Sequence, residues 1–366
     1  MKIGVPKEIK VHEYRVGLTP ASIRELTMAG HTILVEKGAG TGIGIGIGYL
    51  DKDYRNAGAN IAPDAITVFR ESECIVKVKE PQLNECAMLK VGQILFTYLH
   101  LAADRAQTHA LMESGVHTIA YETVTAADGS LPLLTPMSEV AGRMSPQIGA
   151  TLLQKAAGGC GVLMGGVPGV EPANVLVIGG GVAGTAAAEI ALGMRAAVTV
   201  IDKSLPRLRK LDAQFGGAVR VLASTAETIE RAVERADLVI GSVLVPGAAA
   251  PELVDESMIA KMRPGSVVVD IAIDQGGCFA TSRPTTHADP TYVQHGVVHY
   301  CVTNMPGAVP RTSTFALNAA TLPYLRKLAD LGLDGAFAND SGFRQGLNVS
   351  AGRITFTAVA TALGLT

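Results

Sequence analysis

The chain has 366 residues, too many for one ordinary hydrophobic core, and that length points to two domains. Hydrophobic residues make up 48% and charged residues only 17%, which excludes a disordered chain. The formal net charge is −2 and no basic run occurs, so no electrostatic footprint for nucleic acid or an anionic membrane is present.

The opening Met1-Lys-Ile-Gly-Val-Pro6 lacks the long apolar region of a signal peptide. The five cysteines (Cys74, Cys86, Cys160, Cys278, Cys301) form no CxxC pair, and an odd number of scattered thiols points to a reducing, cytoplasmic setting. In chain order, Lys2–Pro6 reads as a strand. Thr19-Pro20 supplies an N-cap followed by proline at the first helical position, opening a helix to about Ala29. Thr32–Glu36 is the next strand. Lys37–Gly48, with its alternating Gly-Ile over Gly42–Gly48, superficially resembles a phosphate loop. No helical pattern follows it, so it reads as a surface turn. A short helix at Asp51–Ala57, strands at Cys74–Lys79 and Gln93–Leu99, a helix at Asp104–Glu113 and a strand at His117–Tyr121 complete a βα-rich first half. A long helical pattern runs from Thr135 to about Ala157 with Ser138 as its cap, bridging the two domains. From Thr312 onward only helical patterns are strong, and this tail is expected to pack back on the first domain. The expected division is 1–134 for a substrate domain, 135–308 for a dinucleotide-binding domain and 309–366 for the return. The expected fold class is α/β, with two Rossmann-like doubly wound domains, the first of them discontinuous.

The second domain opens on Asn174–Asp202. Asn-Val-Leu-Val-Ile is an apolar, β-branched run suited to a strand buried on both faces. It enters Gly179-x-Gly181-x-x-Gly184, whose glycines permit a tight turn, close approach of a pyrophosphate, and packing of the next helix on the strand. The start of the next helix then meets phosphates with free N–H groups and the positive end of its dipole. A second strand, Ala197–Ile201, ends at Asp202, 18 positions past Gly184 (202 − 184), near the spacing of the acid that binds a ribose 2′-hydroxyl. An acid there repels a 2′-phosphate, which favours NAD over NADP. Val175–Met194 is also long and apolar, but Glu189 and the glycine triplet argue against a membrane span.

Polar groups in apolar surroundings concentrate in Glu13-Tyr-Arg15, Val76-Lys-Val-Lys-Glu-Pro81, Thr97-Tyr-Leu-His100 and Asp270–Gly277. The last three follow apolar runs, which places their charges at strand carboxyl ends, where open α/β sheets bind ligands. Taken alone, Lys77 and Lys79 suit one solvated face of a strand, His100 a satisfied core histidine, and Asp274 a cap or turn residue.

GVPKEIKVHEYRVGLTP (4–20), VKVKEP (76–81), LFTYLHLA (95–102), TPMSEVAGRMSPQIGA (135–150), GGVPGVEPANVLVIGGGVAG (165–184), VVDIAIDQGGC (268–278) and NMPGAVPRTST (304–314) closely resemble the L-alanine dehydrogenase family. That family shares ancestry with the NAD-binding subunit of proton-translocating transhydrogenase, and the resemblance covers essentially the whole chain. It implies reversible, NAD-dependent oxidative deamination of L-alanine to pyruvate and ammonium. The alternatives are a transhydrogenase NAD(H)-binding subunit and a related dehydrogenase joining a keto acid to another amine. Carried over by position, the resemblance implies that Arg15 and Lys79 hold the substrate, with His100 and Asp274 at the catalytic centre. It adds Ser138, Val182, Ala183, Asp202, Arg207, Ser224, Val243, Leu244, Ile271, Ala272, Ile273, Asp274, Arg283, Val302, Thr303, Asn304 and Met305 on the cofactor, beside the three glycines, with no metal and a homohexameric assembly. Two departures are that some relatives carry lysine in place of Arg207, and that the Gly42–Gly48 stretch is longer than the corresponding loop.

Overall fold

The computed structural model describes residues 1–41, 46–244 and 250–365, so part of the Gly42–Gly48 stretch lies outside the described residues. The strands are β1 (Lys2–Val5), β2 (Thr32–Glu36), β3 (Asn60–Ala62), β4 (Cys74–Val76), β5 (Ile94–Thr97), β6 (His117–Ala120), β7 (Asn174–Ile178), β8 (Ala197–Asp202), β9 (Arg220–Ala223), β10 (Leu238–Gly241), β11 (Val267–Asp270), β12 (Thr291–Gln294), β13 (Val297–Tyr300), β14 (Leu347–Ser350) and β15 (Arg353–Ile354). Among the described residues they fall into two compact units, one of residues 1–137 with 307–365, the other of 138–244 with 250–306.

The sheet of the first unit has the order β15-β14-β6-β5-β4-β1-β2-β3, parallel from β3 through β6 and antiparallel at β14 and β15. Its helices start where local chemistry dictates. Thr19 caps Pro20–Met28 by accepting the Ser22 N–H at 3.3 Å, and Asp104 caps Arg105–Ser114 by accepting the Gln107 N–H at 2.9 Å. The strand order reverses between β1 and β4.

Two expectations fail here. The tail after Thr312 is not all helix, because β14 and β15 follow the helices Pro310–Ala338 and Ser341–Arg344 and extend the first sheet. They are joined by Ala351-Gly352, both with positive φ (47° and 79°), the backbone of a two-residue hairpin turn that is more often signalled by Asn-Gly. The interdomain helix also ends early, spanning Thr135–Leu152, and Ser138 lies inside its first turn instead of capping it.

In the second unit the order is β12-β13-β11-β10-β7-β8-β9, with every pairing parallel except β12 with β13. Counted from β7, this is the 3-2-1-4-5-6 arrangement of a Rossmann sheet with one added edge strand. Apart from the exposed Asn174, strands β7, β10, β11 and β13 are buried, and apart from Asn174, Asp270 and His299 they are mostly apolar, as a sheet covered on both faces requires. Their side chains divide between two apolar layers, Val175, Val177, Ile240 and Val267 on one face and Leu176, Ile178, Val239 and Val268 on the other. Among the described residues no helix is long and apolar enough to cross a membrane.

Candidate active site

In the first unit the chain leaves β1 into Pro6–Lys10 and leaves β4 into Lys77–Pro81, at the reversal of strand order where such sheets bind ligands. The segment after β4 is stitched to the end of β5. Lys77 N–H donates to Phe96 O (3.2 Å), Tyr98 N–H to Val78 O (3.3 Å) and the Thr97 hydroxyl to Lys79 O (3.0 Å). Because β4 stops at Val76, Lys77 and Lys79 do not share a strand face, and neither is solvated: they are 1% and 6% exposed. Their fates differ. The Lys77 ammonium bonds Glu8 Oε2 at 3.0 Å and Glu85 Oε1 at 2.8 Å, while Glu8 Oε1 accepts the Val78 N–H at 2.6 Å. This is a buried structural tie, and burial raises the Glu8 carboxyl to about 7 against the opposing charge of Lys77. Lys79 instead has its ammonium 3.9 Å from Glu80 Oε2, beyond hydrogen-bonding distance.

Arg15 is fully buried. Glu13 grips it along one edge, with Nε donating to Oε1 at 2.7 Å and Nη2 to Oε2 at 2.5 Å, and Nη1 reaches the Met137 sulfur at 3.1 Å. Burial would raise the Glu13 carboxyl, but the charge and hydrogen bonds of Arg15, with Lys79 assisting, hold it at about 2. His100 takes a left-handed backbone (φ 52°, ψ 39°), unusual for a residue with a side chain. Its amide donates to Glu122 Oε1 at 2.6 Å, that of Leu99 donates to the same oxygen at 3.1 Å, and the Tyr98 ring stacks near-parallel at 6.0 Å. The charges of Lys79 and His100 both act on Glu80. Arg15, Lys79 and His100 therefore belong to one cluster, linked through Glu13 and Glu80. Glu8 and Glu122 escaped notice in the sequence, although Glu122 also follows an apolar strand, β6, as His100 follows β5.

The second unit gathers the cofactor candidates at strand carboxyl ends. After β7, Gly179 has φ 98°, and a Cβ on Gly184 would lie 1.8 Å from Gly179 O, so the helix Val182–Gly193 packs on the strand only without side chains at these positions. At Gly181 a Cβ would meet nothing within 4 Å. That open face beside the start of the helix is what an approaching pyrophosphate needs. Asp202, at the end of β8, accepts the Gly180 N–H on Oδ2 at 2.7 Å and the Ser204 N–H on Oδ1 at 2.8 Å, and Ser224 N–H donates to Asp202 O at 3.0 Å. Arg207 clasps the turn itself, donating to Gly180 O and to the Thr185 hydroxyl.

After β10, Val243 flanks Gly179 and Leu244 is exposed. After β11, Ile271–Gln275 forms a 3-10 turn that presents an exposed Asp274 and buries Ala272 and Ile273. Asp270 organises that turn by accepting from Ala272 N–H (3.1 Å), Cys278 N–H (2.8 Å) and the Ser282 hydroxyl (2.6 Å); burial nevertheless raises its carboxyl to about 6. After β13, Val302 and Met305 are buried, and Asn304 has a positive φ of 66° with its carbonyl 3.0 Å from His287 Nε2. The Arg283 guanidinium lies 4.2 Å from the centre of the Tyr292 ring, a cation–π contact, and Ser138 is half-buried within its helix. Among the described residues, no three His, Cys, Asp or Glu side chains are placed to hold a metal ion.

Sheet order, glycine turn and terminal acid define an α/β protein with a nucleotide-binding fold of the Rossmann type. The chain belongs to the alanine dehydrogenase/PNT family: residues 4–141 match the N-terminal domain and 145–357 the C-terminal domain of "Alanine dehydrogenase/PNT". It is 58% identical over 365 residues to an alanine dehydrogenase of Halomonas elongata, and 55% identical to one of Mycolicibacterium smegmatis; each match covers 100% of this chain and 97% of the relative. A solved L-alanine dehydrogenase superposes with a TM-score of 0.93 at 53% identity, covering 100% of this chain and 99% of that one. A transhydrogenase from Sinorhizobium meliloti, at 23% identity and a TM-score of 0.81, shares the fold. Family and fold together imply an oxidoreductase with a nicotinamide cofactor, and the open face at Gly181 with Asp202 beside it fits one.

Proposed function

We propose that the chain is an NAD-linked L-alanine dehydrogenase, interconverting L-alanine with pyruvate and ammonium. The observation that carries this reading is the cluster of Arg15, Lys79 and His100 at the reversal point of the first sheet, two of them buried cations, in a chain similar along its whole length to alanine dehydrogenases. Arg15, its plane fixed by Glu13, pairs with the carboxylate of pyruvate or alanine. Lys79 stabilises negative charge on the keto oxygen as it is formed or expelled. His100 passes the proton to and from that oxygen. Asp274 orients the entering ammonia or water and stabilises the cationic imine. Bound nicotinamide supplies or accepts the hydride. Gly179, Gly181 and Gly184 with Val182 and Ala183 cradle its pyrophosphate, and Asp202 takes the ribose hydroxyls and so selects NAD. Ser138, Arg207, Ser224, Val243, Leu244, Ile271–Asp274, Arg283 and Val302–Met305 complete the cofactor contacts by family correspondence. The same correspondence supports a cytoplasmic homohexamer.

The test is reductive amination of pyruvate by ammonium and NADH. His100→Ala is expected to lower turnover by about 100-fold or more while NADH affinity stays near wild type. Unchanged turnover would remove His100 from proton transfer and with it the assignment of this cluster.

A further inference from the structure

The edge strand β12, added to the Rossmann order of the second unit, carries Tyr292 directly opposite His299 of β13. The two rings stack at 4.9 Å and 17°. His299 is fully buried and tied at both nitrogens, Nε2 to the Thr281 hydroxyl at 2.8 Å and Nδ1 to Val297 O at 2.9 Å, so it gives the tyrosine a rigid backing. The Arg283 guanidinium lies over the same tyrosine ring, 4.2 Å from its centre. The Tyr292 hydroxyl meanwhile accepts the Arg283 N–H at 2.9 Å, donates to Thr281 O at 2.7 Å and lies 3.6 Å from the Cys301 sulfur. One side chain therefore holds Arg283 both at its backbone and at its charge.

We infer that Tyr292 is a positioning residue for the cofactor: its ring and hydroxyl hold Arg283 with the N–H edge of the guanidinium turned to an anionic ligand. This rests on the proposed contact of Arg283 with the cofactor. The guanidinium is exposed and uses its face on the ring, while among the described residues its N–H groups make no hydrogen bond or ion pair. A long exposed side chain gives up rotamer freedom when an anion binds, and one that is already stacked gives up less. The loop that bears Arg283 has its own support. Thr285 N–H donates to Cys301 O at 2.9 Å and Thr303 N–H to Thr285 O at 3.2 Å, which ties it to the start of the Val302–Met305 segment without help from the ring. Removing the Tyr292 side chain therefore frees the arginine and leaves the loop in place.

The test is a double-mutant cycle on the Kd for NADH, with the wild type, Tyr292→Leu, Tyr292→Phe, Arg283→Ala and the two combined variants. Tyr292→Leu should raise the Kd about tenfold, and Tyr292→Phe, which keeps the ring and loses the hydroxyl, about two- to threefold. Both effects should vanish once residue 283 is alanine, and the KM for pyruvate at saturating NADH should stay put in the Tyr292 variants. A tyrosine that only supports the fold would weaken NADH binding equally with and without the arginine. That result, or an unchanged Kd in Tyr292→Leu beside a raised one in Arg283→Ala, overturns the role of Tyr292 and leaves the proposed function standing. If Tyr292→Leu does not fold, the Tyr292→Phe arm of the cycle decides in the same way. If Arg283→Ala binds NADH like the wild type, Arg283 leaves the cofactor set and the role of Tyr292 goes with it. Alanine-dependent NADH formation by the wild type is measured alongside. Its absence removes the dehydrogenase reading, whereas coupling seen in the same cycle keeps Tyr292 as the holder of Arg283.

Discussion

Gly181→Ala separates binding from folding in the glycine turn. A Cβ at this position meets no atom within 4 Å, and its backbone (φ −68°, ψ −161°) is open to any residue. The fold should accept alanine within about 0.5 kcal/mol, as for a substitution that touches nothing. The methyl group would project into the face that a pyrophosphate must approach. Losing one charge-assisted hydrogen bond there costs about 1.5–3 kcal/mol, a rise in the Kd for NADH of roughly 10- to 150-fold. Gly184→Ala makes the opposite comparison. Its Cβ would sit 1.8 Å from Gly179 O, a backbone atom that cannot swing aside, so the helix must move off the strand. That should cost about 1–3 kcal/mol or more of stability as well as binding. Fluorescence titration of NADH and denaturant unfolding of both variants read the two effects separately. If Gly181→Ala binds NADH like the wild type, the open face is not the phosphate site. If Gly184→Ala unfolds like the wild type, the packing account of the third glycine is wrong.

Two further substitutions probe buried charge. The Glu13 carboxyl falls from an ordinary 4.5 to about 2 in the folded chain, which corresponds to about 3 kcal/mol at about 1.4 kcal/mol per pH unit. Because its pKa is depressed on folding, this contribution is present above pH 4.5 and is lost as pH falls toward 2. Glu13→Gln should therefore be less stable by about 3 kcal/mol at pH 7, with the gap narrowing below pH 4.5; a gap independent of pH would refute the ion-pair account. Asp202→Ala removes the acceptor for the Gly180 and Ser204 amides. It should weaken NAD binding and relax discrimination against NADP in parallel titrations, and an unchanged NAD/NADP ratio would release Asp202 from the ribose.

Features written in a few adjacent residues could be read without the structure. Thr19-Pro20 opens a helix because a hydroxyl cap and a fixed φ act locally, and Gly179, Gly181 and Gly184 sit where the strand-to-helix turn needs them. Lys77 and Lys79 show what local reading cannot reach. Alternation treats them alike, but Lys77 is claimed by Glu8, 69 positions away, and by Glu85, whereas Lys79 is left near Glu80. Only the pairing of β1 with β4 brings Glu8 there. Likewise β14 and β15 are too short to signal themselves, and their turn uses Ala351 where Asn would have announced it. Glu122 supports His100 because β5 and β6 are neighbours, a fact of sheet order.

The most direct measurement incubates the purified chain with L-alanine and either NAD or NADP and follows absorbance of the reduced nicotinamide, with pyruvate quantified independently. NADH and pyruvate should appear in equal amounts with NAD, and far more slowly with NADP. A chain that binds NADH yet produces none from L-alanine would contradict the central claim.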